Sequence, residues 1–215
     1  GENPKTVYND KDETPVTRMA TAALIREALY KAKRYFADLE KSKHDEDYDA
    51  PEYDIKCEAL LPLLKKEVSA HFHCHRADDI CTAIRICKEF DIDCVLVHAT
   101  EGYKIADIIA KENVSAIVGP IICDRSKPEM KQLDTKNAGI LSHNGVEIAL
   151  CTDHPVIPVQ YLFMSGAVAV KNGLDKYKAL EAITINPARI CGIDRRVGSL
   201  SVGKDADIIM FNDDP

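Results

Sequence analysis

Val68-Ser-Ala-His71-Phe-His73-Cys-His75-Arg76 and, one unit later, Cys94-Val-Leu-Val-His98 decide how this chain is read. Each is a short apolar run that ends in histidine and gives way to a stretch with helical spacing. Ile148-Ala-Leu-Cys-Thr-Asp153 repeats the pattern with a carboxylate at its end. Two imidazoles and a carboxylate at the C-terminal ends of successive parallel strands stand where a (β/α) barrel builds its active site. They are also the residue types that hold a catalytic divalent metal.

The regions on either side support the same architecture. From Val68 onward, strands at 68–73, 93–98, 114–119 and 146–152 alternate with helical stretches at about 77–90, 103–112 and 127–144. Two more helices are expected at about 159–171 and 175–185. Strict alternation implies a parallel sheet with right-handed crossovers. The predicted fold is therefore α/β, the C-terminal half of a (β/α)8 TIM barrel. Upstream, a helix is predicted from about Val16 to Glu40, with Ala20, Ala23, Leu24, Ala28, Tyr35 and Phe36 at helical spacing. A polar loop follows over 41–50, then a second helix from Pro51 to about Lys66. Downstream, Gly198 to Phe211 has turn glycines and β-type apolar residues without helical period, which predicts two short strands of a small β-sandwich. The expected domains are residues 1–192, the partial barrel, and 193–215, the strands of a composite sandwich.

Composition excludes several functions. The 215 residues are 46% hydrophobic and 29% charged, enough to bury a core, and the net charge of -7 with scattered Lys and Arg argues against a nucleic-acid partner. No apolar run approaches the roughly 20 residues of a membrane span. Eight cysteines form no Cys-x-x-Cys pair and fall mostly in apolar positions (Cys57, Cys81, Cys87, Cys94, Cys151), which predicts buried free thiols and a reducing cytoplasm. The opening Gly1-Glu2-Asn3-Pro4 has neither an initiator Met nor the basic-then-apolar leader of a signal peptide. A complete barrel takes about 250 residues, so the chain is expected to be the rear part of a longer protein.

His71, His73 and His75 alternate, so in a strand they share one face. A single histidine in an apolar run is ordinarily a core residue; three on one face at a strand end point to a site. Among them His73 is the expected ligand, with His71 deeper and His75 entering the following loop. His98 alone could cap a helix, and Asp153 could be an N-cap. Their spacing together with His73 favours a metal site in which Asp153 also takes a proton from water.

The series His73-Cys-His-Arg-Ala-Asp-Asp-Ile, Val-Leu-Val-His98-Ala-Thr-Glu, Gly119-Pro120 and Cys-Thr-Asp153-His-Pro resembles the amidohydrolase superfamily, more narrowly the bacterial relatives of imidazolonepropionase. Ile183-Thr-Ile-Asn186-Pro187-Ala188 resembles the family's closing barrel helix. Gly198-Ser-Leu-Ser-Val-Gly-Lys-Asp-Ala-Asp-Ile resembles its return into the β-sandwich. The resemblance implies that His73 and His98 are the metal ligands after strands five and six. It implies that Asp153, after strand eight, ligates metal and acts as general base and then general acid, with His98 or the metal polarising the carbonyl. Glu2 is the candidate for the ligand after strand four, against a plain turn residue. The family's His-x-His pair after strand one is absent, which implies a weak metal site or none and a catalytically incomplete chain.

Where deaminases of this superfamily carry a glutamate, this chain has Arg76. Arg76 and Arg125, with His75 and His154 beside the site, suit an anionic substrate group; either arginine can instead pair with Asp78, Asp79 or Asp124. The resulting expectation is a metal-dependent hydrolase, with Zn²⁺ as the default cofactor. It would cleave carbon–nitrogen bonds other than ordinary peptide bonds, in amides including cyclic ones, within an anionic small molecule. A homo-oligomer is compatible with this. The alternatives are a metal-dependent dipeptidase of the same superfamily and a noncatalytic scaffold.

Overall fold

The computed structural model describes residues 8–213. The chain divides into two units, one built on the residues up to His71 together with Cys81–Cys94, the other on Phe72–Ile80 and Val95 onward.

In the first unit, helix α1 (Arg18–His44) opens with Thr17 as N-cap, whose hydroxyl accepts from the Ala20 N–H at 3.0 Å. It runs four residues beyond the predicted end at Glu40, because Lys41, Lys43 and His44 place cations on the negative end of the helix dipole. Ala32 and Tyr35 pack on Cys57 and Leu61, with Phe36, Leu39, Leu60 and Leu64 around them. The second helix predicted over 51–66 is instead two single turns, α2 (Ile55–Glu58) and α3 (Leu61–Leu64). Pro62 has no N–H to give to the preceding turn, so one continuous helix cannot form there. Asp54, not Pro51, starts α2; its carboxylate accepts from the Lys56 and Cys57 N–H groups. Glu89 takes a two-pronged contact from Arg26 (2.6 and 2.8 Å) and a hydrogen bond from the Tyr30 hydroxyl at 2.6 Å. These donors hold its carboxyl down at about 2.

The strands β1 (Ala70–Cys74), β2 (Cys94–His98), β3 (Ser115–Val118) and β4 (Ile148–Leu150) form one sheet in that order. β2 and β3 are parallel, with Val95 opposite Ser115 and His98 opposite Val118. β3 and β4 are parallel, with Ala116 opposite Ile148. Parallel neighbours require crossovers, made here by α4 (Ala77–Phe90), by a 3-10 turn Gly102–Ile105 with α5 (Ala106–Lys111), and by α6 (Asn137–His143). All three residues of β4 are buried, as a strand covered on both faces must be. This is the α/β architecture of part of a TIM barrel.

The C-terminal helices are α7 (Leu162–Lys171), α8 (Lys176–Ala182) and α9 (Ile185–Ile190), so the helix predicted over 175–185 ends early and a separate one carries the Asn-Pro motif. That motif has a structural task. The buried Asn186 amide donates to the Ile148 carbonyl of β4 at 2.9 Å, while Ile190 packs with Val95, Ile117 and Ala149. Gly198 then brings the chain against α9: at φ +89° a side chain is strained there, and a Cβ would lie 2.8 Å from that of Ala188.

Two sequence expectations meet a different picture. No strand occurs between Ile193 and Asp213. A strand is defined by ladder hydrogen bonds to a neighbour, and among the described residues no other strand lies beside this segment. Arg196 pairs with Asp205 at 2.7 Å instead, and the Asp205 N–H donates to the Arg196 carbonyl. All eight cysteines are free thiols, but only Cys57, Cys74 and Cys87 are fully buried and Cys191 is exposed. Among the described residues no helix is long and apolar enough to cross a membrane.

Candidate metal centre

The ends of β1 and β2 bring three imidazoles together. β1 stops at Cys74, so His73 is inside the strand and His75 just past it, while His98 is the last residue of β2. Here the backbone turns sharply: His98 and Ala99 have φ of 73° and 42°, left-handed values that cost non-glycine residues roughly 1–3 kcal/mol each. A set of hydrogen bonds holds the turn. The Ala99 N–H donates to the Cys74 carbonyl (2.9 Å) and the Glu101 N–H to that of His75 (2.8 Å). Buried Asn137 on α6 donates through its amide to the Ala99 carbonyl and accepts from the Tyr103 N–H.

The candidate ligand nitrogens of His73, His75 and His98 all lie within 4.8 Å of one another. The His73 and His75 Nε2 atoms are 3.2 Å apart, and the His75 and His98 rings stack with centroids 4.7 Å apart. His75 and His98 are buried, whereas His73 is exposed, so the group has a protein wall and an open side.

Outer contacts decide where the ring protons sit. His98 Nδ1 lies 2.6 Å from the Gly119 carbonyl oxygen. A carbonyl only accepts, so Nδ1 carries the proton and Nε2 keeps its lone pair. His75 Nδ1 lies 2.7 Å from the Thr100 hydroxyl oxygen, which can accept from it or donate to it; the tautomer in which Nδ1 donates leaves Nε2 free in the same way. Burial, with the neighbouring His98 and His73 adding to it, brings His75 down to about 3. His73 is also lowered, by partial desolvation of its ring first and by His98 second. Neutral imidazoles with lone pairs converging are the state that metal binding requires. Two nitrogens on one tetrahedral ion at about 2.0–2.1 Å stand roughly 3.3 Å apart, close to the spacing of His73 and His75. The donor set fits a divalent cation.

The remaining predicted residues are placed differently. His75 lies just past β1 in the connection, as expected, yet its ring turns inward and joins the cluster, because Thr100 and the Glu101 N–H hold its side chain and backbone at the mouth of β2. His71 is exposed and outside the group. Asp153 is exposed, at φ 53°, and its charge acts on His73 without making it a member of the three-nitrogen group. It is not a helix cap, since the next helical turn starts at Val159 with Pro158 in that position. His154 beside it is exposed. Both Arg76 nitrogens of the fork are engaged by Asp78 (3.0 and 2.9 Å), and Arg125 donates to the Leu133 carbonyl at 2.8 Å. Glu2 lies outside the described residues.

Four residues at the site were not anticipated in any role: Thr100, Gly119, Glu129 and Asn137. Gly119 alone had a readable signal, a glycine directly after a strand. At φ +141° its Cβ would fall on the Cys151 carbonyl oxygen, so only glycine can present its own carbonyl to His98 there. Glu129, in a 3-10 turn at Pro128–Met130, is buried with Oε1 3.8 Å from His75 Nε2.

Comparison with known proteins points to one family. A crystal structure of an amidohydrolase from Thermotoga maritima MSB8 superposes with a TM-score of 0.91 at 42% identity, over 96% of this chain and 54% of that one. The amidohydrolase tasK of Hapsidospora irregularis is 26% identical over 230 residues, covering 100% of this chain and 23% of its own length. An imidazolonepropionase of Streptococcus pyogenes is 26% identical over 200 residues, 74% of this chain and 45% of that protein. The chain thus spans about half of these relatives' length, or less. The model of the amidohydrolase family matches residues 24–215, from the second turn of α1 through all four strands and the closing helices, and the chain belongs to that family.

Proposed function

We propose that this chain carries the metal-holding part of a hydrolase that cleaves carbon–nitrogen bonds, in amides that include cyclic ones, within an anionic small molecule. The observation that carries the reading is the convergence of the His73, His75 and His98 nitrogens within 4.8 Å at the C-terminal ends of neighbouring parallel strands. A divalent cation held there, Zn²⁺ by default, would polarise a carbonyl and make water acidic near neutral pH.

The protein's own residues do the rest. His75 and His98 hold their lone pairs inward through Thr100 and Gly119. The exposed edge of His73 leaves the open side on which an amide can approach. Asp153 would accept a proton from water and return it to the leaving nitrogen, a reading supported by its solvent exposure and by the action of its charge on His73. Arg76 serves the substrate's anionic group only by exchanging Asp78 for it, and Arg125 and His154 lie on loops of the same unit.

The test combines metal content with hydrolysis. The protein, at the length of its relatives, should bind Zn²⁺ and release acid or amine from a panel of carboxylate-bearing amides, and a chelator should stop it. Asp153→Asn should keep the metal and lose turnover. A metal-free preparation that cannot be reconstituted would favour the scaffold reading. Equal handling of neutral and anionic amides before and after Arg76→Ala would remove the anionic substrate from the proposal.

A further inference from the structure

Arg76 stands just before the first residue of α4, and its side chain carries only donors, so it cannot satisfy the free N–H groups that open the helix. A Ser, Thr or Asp there would do so. Here the acceptor comes from the next connection. Glu101, three residues past His98, receives the Ala77 N–H on its carboxylate at 3.0 Å, while its own N–H donates to the His75 carbonyl at 2.8 Å. One residue thus grips the peptide groups on both sides of Arg76. Peptide groups are planar and rigid, so the two bonds together set φ and ψ of Arg76 and the way the backbone of His75 faces. Thr100, the residue before Glu101, meets the His75 ring at Nδ1. Lys104 lies 3.1 Å from the other carboxylate oxygen of Glu101, whose side chain is only 13% exposed, so both oxygens are engaged in a place largely closed to water.

We infer that Glu101 is a positioning residue of the metal site. It ties the turn after β1 to the turn after β2, and so fixes where His75 stands relative to His98 and where Arg76 leaves the backbone. The inference rests on the metal reading above and adds to it a residue that acts only through others. The task needs an oxygen at the reach of the Glu101 side chain; it does not need the charge.

The experiment uses the whole chain, stripped with chelator and titrated with Zn²⁺ by calorimetry and with Co²⁺ by visible absorption. Glu101→Ala should weaken both affinities by about tenfold or more and alter the Co²⁺ spectrum, and the Ala77 amide should exchange faster in the metal-free chain. Glu101→Gln keeps an oxygen at the same reach while Lys104 swings into solvent, and should keep the wild-type spectrum and nearly the wild-type affinity. Glu101→Asp keeps the charge but withdraws the oxygen by one methylene, and should lie between Ala and Gln. Asn186→Ala, which loses a buried bond far along the chain, should keep the wild-type spectrum; the same spectral change there would make it a consequence of lost stability and overturn the role. A Glu101→Ala chain with wild-type affinity and spectrum overturns the role of Glu101 and leaves the three-histidine site standing. So does a Gln variant as weak as Ala beside an Asp variant like wild type, since the charge would then be what matters. A wild-type chain that takes up neither ion overturns the metal reading and the inference with it. Should the Ala variant lose its far-UV circular dichroism, the other pair decides: tighter binding by Gln than by Asp supports the assignment, and equal or tighter binding by Asp refutes it.

Discussion

His98 donates its Nδ1 proton to the carbonyl oxygen of Gly119 at 2.6 Å, across the ends of the paired strands β2 and β3. This one bond selects the tautomer of His98 and fixes the direction in which Nε2 points. It exists because Gly119 has no side chain to collide with the Cys151 carbonyl.

Gly119→Ala is therefore expected to damage a site its side chain never faces. The strained backbone alone should cost roughly 1–3 kcal/mol, and displacement of the carbonyl should weaken metal binding by about tenfold or more. Thermal unfolding of the metal-free protein reads the first effect, and Zn²⁺ titration the second. A variant as stable and as tightly binding as wild type would show that the carbonyl can be replaced.

Thr100→Val removes the hydroxyl that faces the buried His75 Nδ1. An unsatisfied buried donor costs about 1–3 kcal/mol, so the apo protein should unfold at lower urea. Metal affinity should fall by about 10–100-fold. Thr100→Ser keeps the hydroxyl and should restore most of both; if it restores neither, packing of the methyl group matters and the hydrogen bond does not.

Acidification should destabilise the metal-free protein in two separable windows. His75 ordinarily titrates at 6.5 and is lowered to about 3 by burial first and by its neighbour His98 second. Its unfolded form therefore binds the proton first, and stability present above 6.5 is lost as pH falls from there toward 3. Glu89 is lowered too, from 4.5 to about 2, by the hydrogen bonds from Arg26 and Tyr30. Its contribution, complete above the unfolded value, is lost as pH falls from 4.5 toward 2. Urea midpoints measured from pH 8 to 3 should flatten above pH 4.5 in His75→Gln, and only below it in Glu89→Gln.

Asn186→Ala leaves the Ile148 carbonyl without its buried donor and should destabilise the fold by roughly 1–3 kcal/mol. Loss of α9 from β4 should appear as faster amide hydrogen exchange in residues 185–190. Unchanged exchange there would mean that Ile190 packing alone holds the helix.

The strand–helix alternation was legible because strands covered on both faces must be apolar throughout, as in Cys94–His98 and Ile148–Leu150. His73 and His98 were legible for a related reason: a histidine closing such a run gains little from packing and stands where a barrel collects its ligands. His75 was rightly placed beyond the strand end, but that its ring joins His73 and His98 was not read from the sequence. What turned it inward was Thr100, 25 positions away, and no local pattern carries that contact. Glu129 gave no signal at all, since a glutamate in a polar connection reads as solvated until the fold buries it. Pro62 was the reverse case, a breaker in plain view whose effect on the helix predicted over 51–66 follows from its missing N–H. The tail from Gly198 has strand-like composition, but composition cannot provide the neighbour a strand needs.

The sheet order repeats the chain order, and this bears on how the site comes into being. All three histidines fall within the 26 positions from 73 to 98, on two strands that are neighbours both along the chain and across the sheet. Closing so short a span costs little entropy. The three nitrogens are thus drawn from one short stretch of chain, and the residues that aim two of them, Thr100 and Gly119, follow it in sequence.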